Sequence, residues 1–297
     1  MIRTSSVVPL ILLLAQSLPA QTPEQKKATI KYLRELQTPD GGFQPQVVDA
    51  RLDQPLKGSL RATTSALRAL KYFGGTANDK SAAAKFVQKC FDPATGGFAD
   101  QPGGTPDVFS TAVGLMAVVE TGLKMEDYRD KAVQYLGQNA KEFEEIRMAA
   151  AGMEAAGAQA PSAKRWRQEL AEKINADGSF GAGAGKARAT GSTVVALLRL
   201  GSSDFPKDRT IAILNQGENA DGGFGKDDAS GSDLETSYRV VRCYHMLKAK
   251  PAKAEALREF IARCRNTDGG YGVAPGKPSL VSGTYFAGII LHWLVEK

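Results

Sequence analysis

The sequence predicts an all-α fold, a closed α/α toroid of about six helical-hairpin repeats. Three observations carry this prediction. A glycine–aromatic tetrapeptide recurs as Asp40-Gly-Gly-Phe43, Thr95-Gly-Gly-Phe98, Asp177-Gly-Ser-Phe180, Asp221-Gly-Gly-Phe224 and Asp268-Gly-Gly-Tyr271. Intervals of roughly forty to fifty residues mark a repeat architecture. An amphipathic stripe precedes the copies: Ala83, Phe86, Val87 and Cys90, and again Leu257, Phe260, Ile261 and Cys264, fall at i, i+3, i+4 and i+7. A second helical run, opened by Ser or Thr, follows each copy, as in "DVFSTAVGLMAVVETG" and "LETSYRVVRCYHML".

At the start of the chain, Arg3 precedes an apolar run from Val7 to Ala15, and Ser17-Leu-Pro-Ala20 ends in small residues. The run is short for a bilayer span and has the plan of a signal peptide cut after Ala20. Residues 1–20 are thus expected to be a leader and 21–297 the toroid, exported to a periplasmic or secreted location. No second hydrophobic segment would hold the mature chain in a membrane. Each tetrapeptide is expected to end a helix, with glycine accepting positive φ and the aromatic pinning the reversing chain to the core. Hydroxyl groups that open the second helices are expected to cap them. A degenerate third copy fits "EDYRDKAVQYLGQN" and "KEFEEIRMAAAGMEAAG", without the turn. About six hairpins can close into a ring, and second helices rich in Ala, Gly and Ser suit its crowded interior.

The 297 residues are 42% hydrophobic and 24% charged, ordinary for a globular chain. The net charge of +6 is spread, with no basic run interleaved with aromatics, so nucleic acid is not an expected partner. Cys90, Cys243 and Cys264 form an odd set without CxxC spacing and read as buried small hydrophobes.

At these residues the chain resembles the prenyltransferase and terpene-cyclase repeat superfamily, most of all the beta subunit of Rab geranylgeranyltransferase. "FVQKCFDPATGGFADQPGGTPDVFSTAVGL" is similar to that family's zinc-histidine repeat, and "LNQGENADGGFGKDDASGSDLETSY" to the repeat carrying its zinc-binding Asp and Cys. The resemblance spans residues 24 to 297 and implies the toroid. It also implies a zinc ion on an Asp-x-Cys pair and a neighbouring His, activating a thiolate, and an alpha subunit as partner. Carried over by position, Asp233 keeps the Asp, but Glu235 stands for the Cys, and Asp107-Val-Phe-Ser-Thr111 has Ser110 where the family has His. Gly283 takes that place in the last repeat, and His245 and His292 lie well inside their helices. Asp233 is the one family ligand retained, so no cofactor is expected and zinc-dependent prenylation is disfavoured. No residue speaks for an alpha subunit. The cyclase acid motif, Asp-x-Asp-Asp, is reduced to Asp107, and the chain is 7% aromatic, little for stabilising carbocations.

Aligning the second-helix starts places Arg61, Asp107, Arg188 and Asp233 in one column, with Glu144 or Glu145 near it. Arg61 and Arg188, with Ser110 and Tyr238, are candidate ligand-binding groups able to grip a phosphate or carboxylate. Ion pairs joining neighbouring repeats are the structural alternative. Asp107, Asp233 and Glu235 are the candidate catalytic carboxylates, for transferase chemistry or for glycoside cleavage by an acid and a base. Against sugar stacking, both tryptophans, Trp166 and Trp293, fall on helices, and carboxylates at a helix start have a structural explanation in the dipole. The glycine-rich "GAGAGKARATG" lacks P-loop order and reads as a mouth loop. The first expectation is binding of an apolar, isoprenoid-like or peptide ligand in the central cavity. Carboxylate-based catalysis and a protein-interaction scaffold are the alternatives.

Overall fold

A computed structural model describes residues 21–47, 57–181, 185–202, 204–227 and 230–295. The leader at 1–20 and part of the glycine-rich stretch, 182–184, lie outside these residues. Helices come in pairs: α1 (Pro23–Glu35) with α2 (Leu60–Phe73), α3 (Lys80–Cys90) with α4 (Val108–Thr121), and α5 (Arg129–Asn139) with α6 (Phe143–Ala156). Then follow α7 (Ala163–Ala171) with α8 (Lys186–Arg199), α9 (Lys207–Gln216) with α10 (Leu234–Met246), and α11 (Ala254–Arg263) with α12 (Val281–Val295). The even-numbered helices pack in sequence, and α12 packs against α2, closing the inner ring. The chain is therefore an all-α closed toroid, as its repeats predict. None of the described helices is long and apolar enough to cross a membrane.

Inner helices need small residues because each is flanked by two others. A Cβ on Gly152 of α6 would stand 2.8 Å from the Cα of Ala112 in α4, closer than atoms pack. The outer stripes behave as their spacing requires: Ala83, Phe86, Val87 and Cys90 are buried, as are Leu257, Phe260, Ile261 and Cys264. Burial pushes the thiols of Cys90, Cys243 and Cys264 up to about 12. They are inert core groups at neutral pH.

The tetrapeptide works differently from expectation. Helices α1 and α11 end at Glu35 and Arg263, several residues before the motif, so its glycine does not cap them. Instead Asp40, Asp221 and Asp268 accept through Oδ1 from the N–H two residues on (Gly42 3.1 Å, Gly223 3.1 Å, Gly270 2.9 Å). This is an Asx turn. The following glycine takes positive φ, +92° at Gly41 and +75° at Gly222. It also lets the turn lie directly on the next outer helix: a Cβ at Gly222 would meet Leu257 N at 2.4 Å.

The hydroxyls that open the inner helices also have another role. Ser59 caps α2 by accepting from Ala62 N, but α4 and α10 are capped by Asp107 and Asp233. The recurring Ser or Thr lies one turn further in. It accepts the backbone N–H of the turn aromatic: Thr63 from Phe43 (2.9 Å), Thr111 from Phe98 (2.9 Å), Thr190 from Phe180 (3.0 Å), Ser237 from Phe224 (3.0 Å) and Thr284 from Tyr271 (3.0 Å). A turn that buries its aromatic also buries that N–H, which must find an acceptor. In the third repeat the turn is replaced by a capping box between Glu142 and Glu145.

Repeats are then stitched by backbone bonds. Leu60 N donates to Asp100 O (2.7 Å), Leu234 N to Val273 O (2.8 Å), and Val281 N to Pro45 O (2.9 Å). The last joins the sixth repeat to the first.

Thr111→Val should leave the Phe98 N–H buried without an acceptor and lower stability by about 1–3 kcal/mol. Thr111→Ser should be close to silent, since Ser237 already fills this role elsewhere; urea unfolding of both variants checks it.

Candidate functional site

The rim residues are tied to one another. Asp107 accepts from Ser110 N (2.8 Å) through Oδ1 and from Ser110 Oγ (2.7 Å) through Oδ2. Arg61 donates to both its oxygens at 3.0 Å and to Ser110 Oγ at 3.3 Å, joining α2 to α4. Asp233 accepts from Thr236 N and Oγ1, both at 2.8 Å. Arg188 reaches Glu235 at 3.8 Å, joining α8 to α10. The Arg–Asp column is thus a set of pairs between neighbouring repeats, with Glu235 in place of Asp233 in the second.

No zinc set forms from these donors. Asp233 has both oxygens on Thr236, and Glu235 is turned to guanidiniums. Among the described residues no three His, Cys, Asp or Glu side chains gather as a metal site. His245 stacks on Trp293 (ring centroids 5.0 Å) and His292 faces Tyr72 (5.1 Å). Lys186, at the start of α8, pairs with Asp177 at 2.9 Å, so the glycine-rich stretch leads into a turn-anchored helix.

The ring encloses a cavity of about 190 Å³ to which all six inner helices contribute. A larger groove of about 470 Å³ draws on α10, α12 and the 248–251 turn alone, so the axial cavity is the better candidate. Of the residues singled out in the sequence, Glu235 and Tyr238 line it. Part of its lining is apolar, with Val113, Met116, Met148, Ala151 and Phe286. Cationic groups are interleaved with them: Arg68, Arg147, Arg199 and Arg239 also line it, with side chains 6–18% exposed. Arg242 stands behind Tyr238, donating to its hydroxyl at 2.9 Å and lying over its ring at 5.0 Å.

Carboxylates satisfy part of this charge. Glu144 accepts from Arg147 (2.8 and 3.0 Å) and from Arg239 (2.8 and 3.1 Å), and Glu235 accepts from Arg239 (2.8 Å). Glu154 accepts from Arg199 Nε at 2.8 Å. Burial pushes the Glu144 carboxyl up, but Arg147 and Arg239 outweigh it and hold the group below the usual carboxylate range. Burial, and then Arg242, brings Arg199 down to about 10. These arginines were missed in the sequence because each was read as an ordinary helix position. The legible signal was an arginine recurring inside otherwise apolar inner helices: "ALRALKY", "EIRMAA", "ALLRL" and "YRVVRCY".

Asp233→Asn should leave stability nearly unchanged, because Asn caps as well, whereas Asp233→Ala should lose about 1 kcal/mol in urea unfolding. The depressed Glu144 group stabilises the fold fully above the ordinary carboxylate range, and this contribution is lost as pH falls through its folded value. Glu144→Gln should lower stability at neutral pH and flatten the acid limb below about pH 4, read from thermal midpoints across pH.

No curated protein sequence matches the chain. Among solved structures it is similar to Candida albicans protein geranylgeranyltransferase-I complexed with GGPP, at 14% identity and TM-score 0.65, covering 79% of this chain and 83% of that one. It is also similar to a type II terpene cyclase from Scytonema in complex with geranylgeranyl dihydroxybenzoate, at 13% identity and TM-score 0.60, covering 91% and 96%. A glycosidase variant in complex with glucose aligns at 16% identity and TM-score 0.59, covering 91% and 95%. At such identities the likeness concerns the fold. The prenyltransferase alpha-alpha toroid domain matches residues 7–79, 64–135 and 128–296; the chain belongs to that family.

Proposed function

We propose that this protein is a binding toroid that holds a small, partly apolar organic molecule at its axis and works without zinc-dependent prenylation. The observation that carries this reading is the axial cavity itself, formed jointly by six helices and lined in part by Val113, Met116, Met148 and Phe286. Such convergence of an apolar wall with a few polar groups is the usual form of a ligand site. Two structural neighbours hold molecules built on isoprenoid chains, which supports an isoprenoid-like body. Size limits it. At about 190 Å³ the cavity is below the roughly 300–1,000 Å³ that takes drug-sized ligands, so the body is shorter than a geranylgeranyl chain. The engagement of Asp233 by Thr236 and of Glu235 by Arg239 supports chemistry without zinc. Export through the leader at residues 1–20 is part of the same reading.

Native mass spectrometry of the mature chain should show a metal-free protein carrying one small organic mass. Ala151→Trp, which fills the cavity, should remove that mass while the helical circular dichroism persists. Stoichiometric zinc, or a bound mass indifferent to Ala151→Trp, would overturn the reading.

A further inference from the structure

The arginines of the axial cavity divide into two groups. Arg147 and Arg239 have their carboxylates, as described. Arg68 is held more loosely: its one hydrogen bond goes to Met116 Sδ at 3.4 Å, and its buried Nε makes an ion pair but no hydrogen bond. Glu120 approaches that Nε only to 3.6 Å and is shared with Lys71 at 3.3 Å. Arg199 bonds through Nε alone, to Glu154. Arg242 has its Nε buried without a hydrogen-bond acceptor, and its guanidinium carbon is 5.0 Å from the Tyr238 ring centroid and 4.8 Å from that of Trp293. A guanidinium carries five donors in a planar fork. Burying such donors unpaired is costly, and ring contacts offset only part of that.

These less fully bonded guanidiniums stand beside two tyrosines, and Arg242 donates to the Tyr238 hydroxyl. Tyr238 and Tyr285 stand with their oxygens 3.3 Å apart, and Arg68 lies over the Tyr285 ring at 5.0 Å. On the reading that the axial cavity holds a small organic ligand, we infer that this ligand carries a compact oxyanion, a carboxylate or a phosphate, seated against Arg68, Arg199 and the Tyr238–Tyr285 pair. An oxyanion accepts several N–H and O–H bonds at once, which is what this end of the cavity offers. The apolar groups beside it, Val113, Met116, Met148 and Phe286, receive the rest of the molecule.

The site also contains its own counter-charge. Burial pushes the Tyr238 phenol up, but the guanidiniums of Arg242, Arg68 and Arg199 outweigh it and bring it down to about 7. Burial and the neighbouring Tyr238 push Tyr285 up instead, so Tyr285 keeps its proton and donates to Tyr238. The charged groups around Tyr238 are Arg68 from α2, Arg147 from α6, Arg199 from α8 and Arg242 from its own helix; Glu120 and Glu154 are engaged by Arg68 and Arg199. A bound oxyanion and a Tyr238 phenolate repel each other, so binding goes with a proton on Tyr238. Affinity is level below the free phenol's pKa and falls above it, by up to tenfold per pH unit.

The test uses the full mature chain with three probes: octanoate, inorganic phosphate and neutral octanol. Ultraviolet absorbance should show one tyrosinate forming near neutrality, absent from Tyr238→Phe. Octanoate, phosphate or both should suppress that step and raise the thermal midpoint, and the effective probe identifies the head group. Arg68→Met should weaken that probe tenfold or more, and Arg68→Lys, which keeps the charge without the fork, should weaken it less. Octanol binding as tightly as octanoate, with the tyrosine titration unchanged throughout, would overturn the inference and leave the axial-cavity reading standing. Failure of all three probes to bind would overturn both.

Discussion

Closure of the inner ring, α12 against α2, is the constraint on which the rest of this structure depends. Each inner helix must bury two flanks against neighbours and a back against the outer layer. That leaves a single stripe facing the axis, where the opposite wall is too distant to pack against. Small residues such as Gly152 and Ala112 are required on the flanks, while the axial stripe is released from the demands of core packing. Polar groups can stand there, provided that they find partners across the cavity.

The outer layer holds the ring in register. In each complete repeat an Asx turn, or at Thr95 the equivalent threonine turn, lies on the following outer helix, and its aromatic N–H reaches back to a hydroxyl one turn inside the inner helix. The aromatic serves as an anchor, and the Thr or Ser serves as the acceptor that makes its burial affordable. The third repeat lacks the turn and uses a capping box at Glu142 and Glu145. The helices still take their places because their flanks are filled by the same neighbours.

The axial arginines follow from the same geometry. Placed on the flanks, four guanidiniums would destroy the packing; placed on the axial stripe, they meet Glu120, Glu144, Glu235, Glu154 and a tyrosine pair. An ion-pair network of this kind is weak evidence for stability, because removing charges from water offsets most of their attraction. Its value lies in orientation: Glu144 fixes Arg147 and Arg239, while Arg68 and Arg242 are left with N–H groups turned to ring faces, sulfur and hydroxyls. Within one family of toroids, the axis is thus a place where chemistry varies while the ring is kept.

The sequence by itself determined the repeats, the alternation of outer and inner helices, and the buried role of Cys90 and Cys264. All of these depend on local signals: positive-φ glycines, a 3.6-residue apolar period, and small residues on the second helices. It also placed Asp107, Asp233, Glu235, Arg61 and Arg188 at the helix starts, because a shared motif fixes their register. Only the tertiary structure decided what those groups do, with Asp107 and Asp233 capping helices and Glu235 turned to the axis. It alone brought Arg68, Arg199, Arg242, Tyr238 and Tyr285 together from four helices. The physical reason is that helical period shows which residues are apolar, but not which of two polar positions faces the solvent and which faces the axis. That distinction exists only once the sixth hairpin meets the first.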